Sequence, residues 1–179
     1  MSHPRTSFKK RHWGVLFLFV LFIGSSCQKI NVEQEKEAIK SVIDAEIRAS
    51  FYGDYDSWIN CFAHEPYTFW LQADQVEHHY WQGWEEISTA AKDIIKPERT
   101  AGKIYEGYYD QYIKVYKEAA TTFFKSRTTV IRQDDGEEYE QVGMEVRFLE
   151  KNNDEWKITY LETRYLSSDE AEVTEHINP

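Results

Sequence analysis

The chain has 179 residues and a formal net charge of −10, and 16% of its residues are aromatic. This length suits one domain with extensions. The excess of acidic residues argues against nucleic acid or anionic lipid headgroups as partners, because an acidic surface repels polyanions.

The first 26 residues have the pattern of a secretory signal. Basic residues precede an apolar run at 13–23, which is too short to span a bilayer and is typical of a signal-peptide core. Gly24-Ser25-Ser26-Cys27 follows, and this order resembles the lipobox of bacterial lipoproteins, with Gly24 in place of the usual leucine. The resemblance implies cleavage before Cys27 and lipidation of its thiol. A plain secretory signal and an uncleaved anchor are the alternatives.

Cleavage before Cys27 would remove four basic and no acidic residues, taking the formal charge from −10 to −14. We therefore expect a domain in the cell envelope, periplasmic or at the cell surface, that meets the membrane only through its lipid anchor. Cys61 would be the remaining thiol, which leaves no internal disulfide and no cysteine-based metal site. The expected organisation is a signal peptide at 1–26, a tether at 27–34, a domain at 35–168 and a flexible acidic tail at 169–179.

The predicted elements begin with a helical pair at 35–62. Ile39 and Ile43 mark an apolar stripe on the helical wheel, and Glu46 falls near its middle. Gly53 is placed to end the first helix as a left-handed C-cap, and Asp54 to cap a short second helix.

The rest of the chain predicts a hairpin, a third helix and four long strands. Apolar residues at helical spacing predict the third helix at 84–95, and Pro97 ends it. Period-two patterns predict the strands at 67–71, 76–82, 108–117, 119–132, 138–150 and 156–166. This order indicates an α+β domain in which a strongly curved antiparallel sheet wraps around three N-terminal helices.

This pattern resembles the nuclear transport factor 2-like (NTF2-like) cone superfamily, in particular its SnoaL-like branch. The resemblance rests on the helical pair with its Gly53-Asp54 break, on the helix start Gly83-x-x-x-Ile87 and on Trp156-x-Ile158. It implies a conical pocket between sheet and first helix, which some relatives use for catalysis, and an outer sheet face through which relatives commonly form homodimers. Fold signatures of this kind carry no chemistry by themselves.

Three groups of residues could line such a pocket. Glu46 is one, because a carboxylate on an apolar face needs water, a cation or a raised pKa; a structural ion pair is the alternative. Glu162 and Arg164 share the strand parity of core residues Trp156 and Ile158 and so would face inward, unless a bulge turns them outward.

The third group is aromatic, with Tyr67, Trp70 and Trp81 either packing on helices or forming the floor of an apolar pocket. His78 and His79 point to opposite faces of a strand, so only one can reach a pocket, and the pair cannot chelate a metal from one face.

Known catalytic sets of cone-fold relatives are missing. The resemblance places the general-base aspartate of steroid isomerases at about Trp70 and their oxyanion-hole tyrosine near Glu46, so neither role carries over. We therefore expect a binding or accessory protein for a small apolar or aromatic ligand, with no metal or cofactor. The alternatives are an isomerase, dehydratase or hydrolase that uses Glu46 with His78 or His79, and a structural homodimerisation module.

Overall fold

The computed structural model describes residues 30–74, 76–97, 102–131 and 135–167. The predicted signal peptide, Cys27 and the predicted tail at 169–179 lie outside these ranges. Within them, no helix is both long and apolar enough to cross a bilayer. The elements in chain order are α1 (Val32–Tyr52), α2 (Tyr55–Ile59), β1 (Phe69–Ala73), β2 (His78–Gln82), α3 (Trp84–Ile94), β3 (Lys103–Val115), β4 (Ala119–Ile131), β5 (Glu138–Asn152) and β6 (Glu155–Tyr165).

The ends of the first two helices follow from capping. The Asn31 side chain accepts a hydrogen bond from the Gln34 backbone N–H at 3.4 Å, so α1 begins at Val32, inside the segment predicted as a tether. Gly53 has φ of 66°, a left-handed C-cap as predicted. Asp54 then caps α2.

The six strands form one curved sheet in the order β2-β1-β6-β5-β4-β3. All neighbouring strands are antiparallel except β1 and β6, which run parallel. The element order and the α+β class agree with the sequence prediction. Four strand starts differ from the predicted ones: β1 begins at Phe69 rather than 67, β2 at His78 rather than 76, β3 at Lys103 rather than 108, and β6 at Glu155 rather than 156.

A bulge in β6 reverses which side chains face the helices. Leu149 pairs with Ile158, whereas the preceding residue Phe148 pairs with Tyr160, so Thr159 is an extra residue on β6. Before the bulge, the even-numbered side chain of Ile158 is fully buried in the core. After it, the odd-numbered side chains of β6 face inward.

Helix α1 packs into the concave face of the sheet. Ile39 and Ile43 on α1 are fully buried in one core with Trp58 of α2 and Ile158 of β6. Glu46, one turn further along the same stripe, is only 3% exposed. The fold therefore places a carboxylate between helix and sheet, where polar partners must be supplied by the strands.

Candidate functional site

A buried cluster of two carboxylates and one guanidinium lies between α1 and β5. We call Glu46, Glu145 and Arg147 the Glu–Arg–Glu cluster. Glu46 Oε2 accepts hydrogen bonds from Arg147 Nε at 3.2 Å and from Arg147 Nη2 at 3.1 Å. On its other side, Arg147 Nη1 donates to Glu145 Oε2 at 3.1 Å. The three residues are 3%, 7% and 2% exposed, so solvent screens them little.

Neighbouring donors complete the bonding of the two carboxylates. Trp58 Nε1 donates to Glu46 Oε1 at 3.2 Å. Ser126 and Thr163 donate their hydroxyls to Glu145 at 2.8 and 2.6 Å. Gly143 makes room for this, since a Cβ there would lie 2.6 Å from Ser126 Oγ. The cluster is therefore a built network rather than an accidental pair of charges.

The cluster carries one negative charge more than positive when both carboxylates are ionised. Burial raises the pKa of Glu46, and the Glu145 charge adds to this, while Arg147 opposes it. Burial would lower the pKa of Arg147, but the two facing carboxylates outweigh that effect and raise it. Arg147 is thus held as a cation.

A small cavity of about 70 Å³ adjoins the cluster. This is far below the roughly 300–1,000 Å³ of pockets for drug-sized ligands and suits a few water molecules or a small functional group. Its lining side chains come from every element except β2 and α3: Glu46, Ile47, Ser50, Phe51, Trp58, Trp70, Gln72, Tyr105, Ser126, Thr128, Glu145, Arg147, Leu161, Thr163 and Tyr165.

Two side chains that line the cavity each carry a buried polar atom with no hydrogen-bond partner among the described residues. The two atoms are the indole Nε1 of Trp70, a residue that is 1% exposed, and the hydroxyl of Tyr105. Burial and the Glu145 carboxylate raise the pKa of Tyr105, so its hydroxyl stays protonated and can donate. A buried donor without a partner costs about 1–3 kcal/mol. An acceptor that enters the cavity would recover that energy.

Of the residues predicted to line a pocket, the structure brings Glu46 and Trp70 together on this cavity. It places Tyr67 elsewhere, 54% exposed, with its hydroxyl donating to Glu150 at 2.8 Å. Trp81 packs against Trp70 with 4.5 Å between ring centroids but lines a separate surface groove beside α3.

His78 and His79 do not meet Glu46. Both are exposed on β2, which is an edge strand of the sheet, and His79 Nε2 lies 3.0 Å from the Glu77 carboxylate. In the described part of the chain no histidine lines the cavity. The Glu46–histidine pair required by the enzymatic alternative is therefore not formed.

Glu162 and Arg164 do not line the cavity, which agrees with the alternative of a bulge in the strand and not with simple strand parity. The bulge at Thr159 shifts the parity of β6 by one residue, so Leu161 and Thr163 face inward in their place. Glu162 accepts a hydrogen bond from the Tyr160 hydroxyl at 2.6 Å on the outer face. The cation that pairs with Glu46 is Arg147.

The sequence prediction missed Glu145 and Arg147 because they alternate with the apolar residues Met144, Val146 and Phe148, which a period-two pattern places inside. In the structure the charged set faces inward and the apolar set outward. The hairpin between β5 and β6 carries a usable signal. Trp156 faces the core, and the residue opposite it on β5 lies on the same face of the sheet. Counting back along β5 from that residue in steps of two leads to Arg147.

No three histidine, cysteine, aspartate or glutamate side chains within the described ranges are grouped as a metal site requires. The described free thiol, Cys61, is buried, and burial raises its pKa to about 12. It packs in the core and does not line the cavity.

No protein-family model matches the chain, and no curated protein matches it. Solved structures do match. An NTF2-like superfamily protein from Salmonella enterica is 20% identical with a TM-score of 0.58, covering 74% of this chain and 91% of its own. A ketosteroid isomerase-like protein from Erwinia carotovora is 13% identical with a TM-score of 0.57, covering 75% and 98%.

The association domain of CaMKII from C. elegans is similar to the same degree, at 13% identity and a TM-score of 0.59, covering 73% of this chain and 95% of its own. At these identities the likeness establishes the NTF2-like cone fold alone.

Proposed function

We propose that this protein is an envelope-anchored binding module of the NTF2-like cone fold, which holds a small, neutral, oxygen-bearing molecule in the cavity beside the Glu–Arg–Glu cluster. The observation that carries the proposal is the pair of unpartnered buried donors, Trp70 Nε1 and the Tyr105 hydroxyl. Both side chains line one cavity, so one acceptor oxygen could serve both donors.

The charge of the site selects a neutral ligand. When both carboxylates are ionised, Glu46 and Glu145 outweigh Arg147 by one charge, and when Glu46 is protonated the cluster is neutral, so neither state attracts an anion into the cavity. A cation would not satisfy Trp70, because an indole N–H only donates. A carbonyl, ether or hydroxyl oxygen meets both conditions. The ligand differs from the largely apolar one expected from the sequence in having this polar end.

The role of Glu46 in the site is structural, and it does not act as a general acid or base. One of its oxygens accepts two hydrogen bonds from Arg147 and the other accepts one from Trp58. A carboxylate engaged in this way orients its partners and leaves little capacity for proton transfer to a ligand. We therefore favour binding over the enzymatic alternative.

The test is an NMR titration of indole N–H resonances with N-methylacetamide and 2-butanone, two neutral carbonyl compounds of cavity size. We expect the Trp70 resonance to shift saturably, and Tyr105→Phe to weaken binding about fivefold, the value of one hydrogen bond near 1 kcal/mol. Trp70→Phe assigns the resonance and removes the donor, and Trp81→Phe is the matched control. Shifts equal at Trp70 and Trp81, or none at Trp70, would reject the proposal.

The envelope location is part of the proposal and is supported by the order of basic residues, apolar core, small residues and Cys27 in the sequence. Metabolic labelling with radioactive palmitate tests it. We expect label and membrane fractionation for the full chain and loss of both for Cys27→Ala. An unlabelled protein in the soluble fraction would favour a plain secretory signal.

A second function, homodimerisation through the outer face of the sheet, is favoured by a row of four neighbouring aromatic rings. Tyr80, Phe69, Tyr160 and Phe148 follow one another across β2, β1, β6 and β5 with 6.1, 5.6 and 5.0 Å between centroids. Tyr80 and Phe148 are 65% and 45% exposed. Aromatic rings exposed in a contiguous patch are typical of protein interfaces.

Light scattering over a range of concentrations tests the dimer. Phe148→Lys should shift the protein to monomer, whereas Tyr139→Lys should not, since Tyr139 lies on the same strand with the same 45% exposure but outside the row of rings. A monomeric wild-type protein at all concentrations would reject this second function.

A further inference from the structure

A surface groove larger than the cavity lies on the other side of one of the cavity's walls. It has a volume of about 630 Å³ and lies between α1 and β3. Phe51, Tyr105 and Ile47 line both volumes, so a single layer of side chains separates them. Tyr52 and Ile104, 74% and 52% exposed, extend the groove toward solvent.

From this arrangement we propose that the groove between α1 and β3 is the second subsite of the same ligand site, which makes the ligand an elongated amphiphile. Its neutral oxygen lies against Trp70 and Tyr105, and its apolar chain or ring passes the Phe51–Tyr105 pair into the groove. This inference rests on the proposed function and adds the substrate class to it.

Volume supports a ligand that uses both spaces. The inner cavity of about 70 Å³ holds only a functional group, whereas the groove of about 630 Å³ is within the range of small-molecule pockets. A ligand confined to the inner cavity would bury too little apolar surface to bind tightly. A ligand confined to the groove would leave the two buried donors without a partner.

The wall between the two spaces is formed at the end of a helix and on an edge strand. Phe51 lies in the last turn of α1, and its ring packs on Tyr105 with 4.8 Å between centroids. Tyr105 lies on β3, an edge strand, directly before a register shift at Gly107. Helix ends and irregular edge strands open at low free-energy cost, so these two rings can separate to admit a chain.

The groove carries polar groups beside its apolar side chains. Burial raises the pKa of Tyr105, and the charges of Glu145 and Asp44 add to this, so its hydroxyl remains a neutral donor. Asp44 itself accepts a hydrogen bond from the Tyr108 hydroxyl at 2.8 Å. Arg48 and Lys103 lie on the rim, as polar side chains do in ligand pockets.

A homologous series of 2-alkanones, from 2-butanone to 2-nonanone, tests the inference on the purified protein. Binding is followed at the Trp70 indole N–H and at the Ile104 methyl groups. We expect affinity to rise about fourfold for each methylene beyond the length that fills the inner cavity. The Ile104 methyl resonances should shift with 2-nonanone and not with 2-butanone.

Ile104→Thr should reduce this gain for long ketones and leave 2-butanone unchanged, while Val76→Thr, at an 87% exposed position away from the groove, should alter neither. Short ketones that bind with no gain for longer ones would overturn the inference and leave the proposed function standing. Long ketones that bind better without perturbing Ile104 would also overturn it. If no ketone shifts Trp70, the proposed function itself fails.

Discussion

Replacing Arg147 should expose how much the fold depends on charge balance in the Glu–Arg–Glu cluster. Arg147→Gln removes the cation that bonds to both carboxylates and leaves Glu46 and Glu145 buried together at 3% and 7% exposure. Breaking a buried pair in this way costs about 3–5 kcal/mol. With a urea m-value of about 2 kcal/mol per molar, the unfolding midpoint should fall by about 2 M at pH 7.

The pH dependence sharpens this prediction. Burial already raises the pKa of Glu46, and the loss of Arg147 removes the charge that opposes this effect. A group with a raised folded-state pKa contributes stability below its unfolded pKa, near 4.3, and loses it as the pH rises through the folded pKa. The loss in free energy of unfolding caused by Arg147→Gln should therefore grow from pH 5 to pH 8. At pH 5 the variant should still be folded, so its unfolding can be measured there.

Glu46→Gln is the matched control, because it leaves Arg147 paired with Glu145. Its loss should be about 1–2 kcal/mol and should shrink as the pH rises, since it removes the group with the raised pKa. Urea unfolding of the two variants at pH 5, 6, 7 and 8 checks both trends. A loss below 1 kcal/mol for Arg147→Gln at pH 7, or the same pH trend in both variants, would refute the reasoning.

Two further predictions concern backbone strain and thiol reactivity. Gly53→Ala should destabilise the protein by more than 2 kcal/mol in thermal unfolding, since Gly53 has a positive φ and a Cβ there would lie 2.2 Å from Pro97 N. Gly136→Ala is the control, because Gly136 also has a positive φ but a Cβ there would meet nothing within 4 Å; it should cost only about 1 kcal/mol. Equal losses in the two variants would contradict this prediction. In a Cys27→Ala background, Cys61 should resist iodoacetamide at pH 8 until urea unfolds the domain, because its thiol is buried with a pKa of about 12; rapid native labelling would contradict this.

The helical half of the fold was readable from the sequence because its signals are local. Gly53 and Asp54 ended one helix and capped the next as predicted, since each acts within three residues of its own position. Glu46 stood out for the same reason, as one carboxylate on a stripe that includes Ile43. The capping by Asn31 is equally local, but the polar residues that follow it are typical of a tether, so the sequence predicts a later start for α1.

The sheet half of the site is only partly readable from the sequence: counting along β5 leads to Arg147, whereas the facing of Glu162 and Arg164 depends on one extra residue in β6. Strand parity counted from Trp156 and Ile158 placed Glu162 and Arg164 inside, and the bulge at Thr159 reversed that assignment. No local pattern marks a buried threonine as a bulge. Arg147 on β5 is the cation that bonds to Glu46.

The sequence predicted an aromatic cavity but not all of the aromatic residues that line it. Trp70 is predicted as a pocket residue and lines the cavity, whereas Tyr105 lies before residue 108, where the sequence predicts the strand to begin. Edge strands with register shifts, such as β3 at Gly107, give a weak period-two pattern, so their contribution to a site is the part that sequence reasoning loses first.

The central claim is that the cavity beside the Glu–Arg–Glu cluster receives an acceptor oxygen. A crystal structure of the protein soaked with 2-pentanone tests it most directly, examined at Trp70 Nε1. We expect the carbonyl oxygen about 2.9 Å from that nitrogen and within hydrogen-bond reach of the Tyr105 hydroxyl. A cavity closed by rotated side chains, with Trp70 Nε1 bonded to a protein group and the ketone excluded, would contradict it.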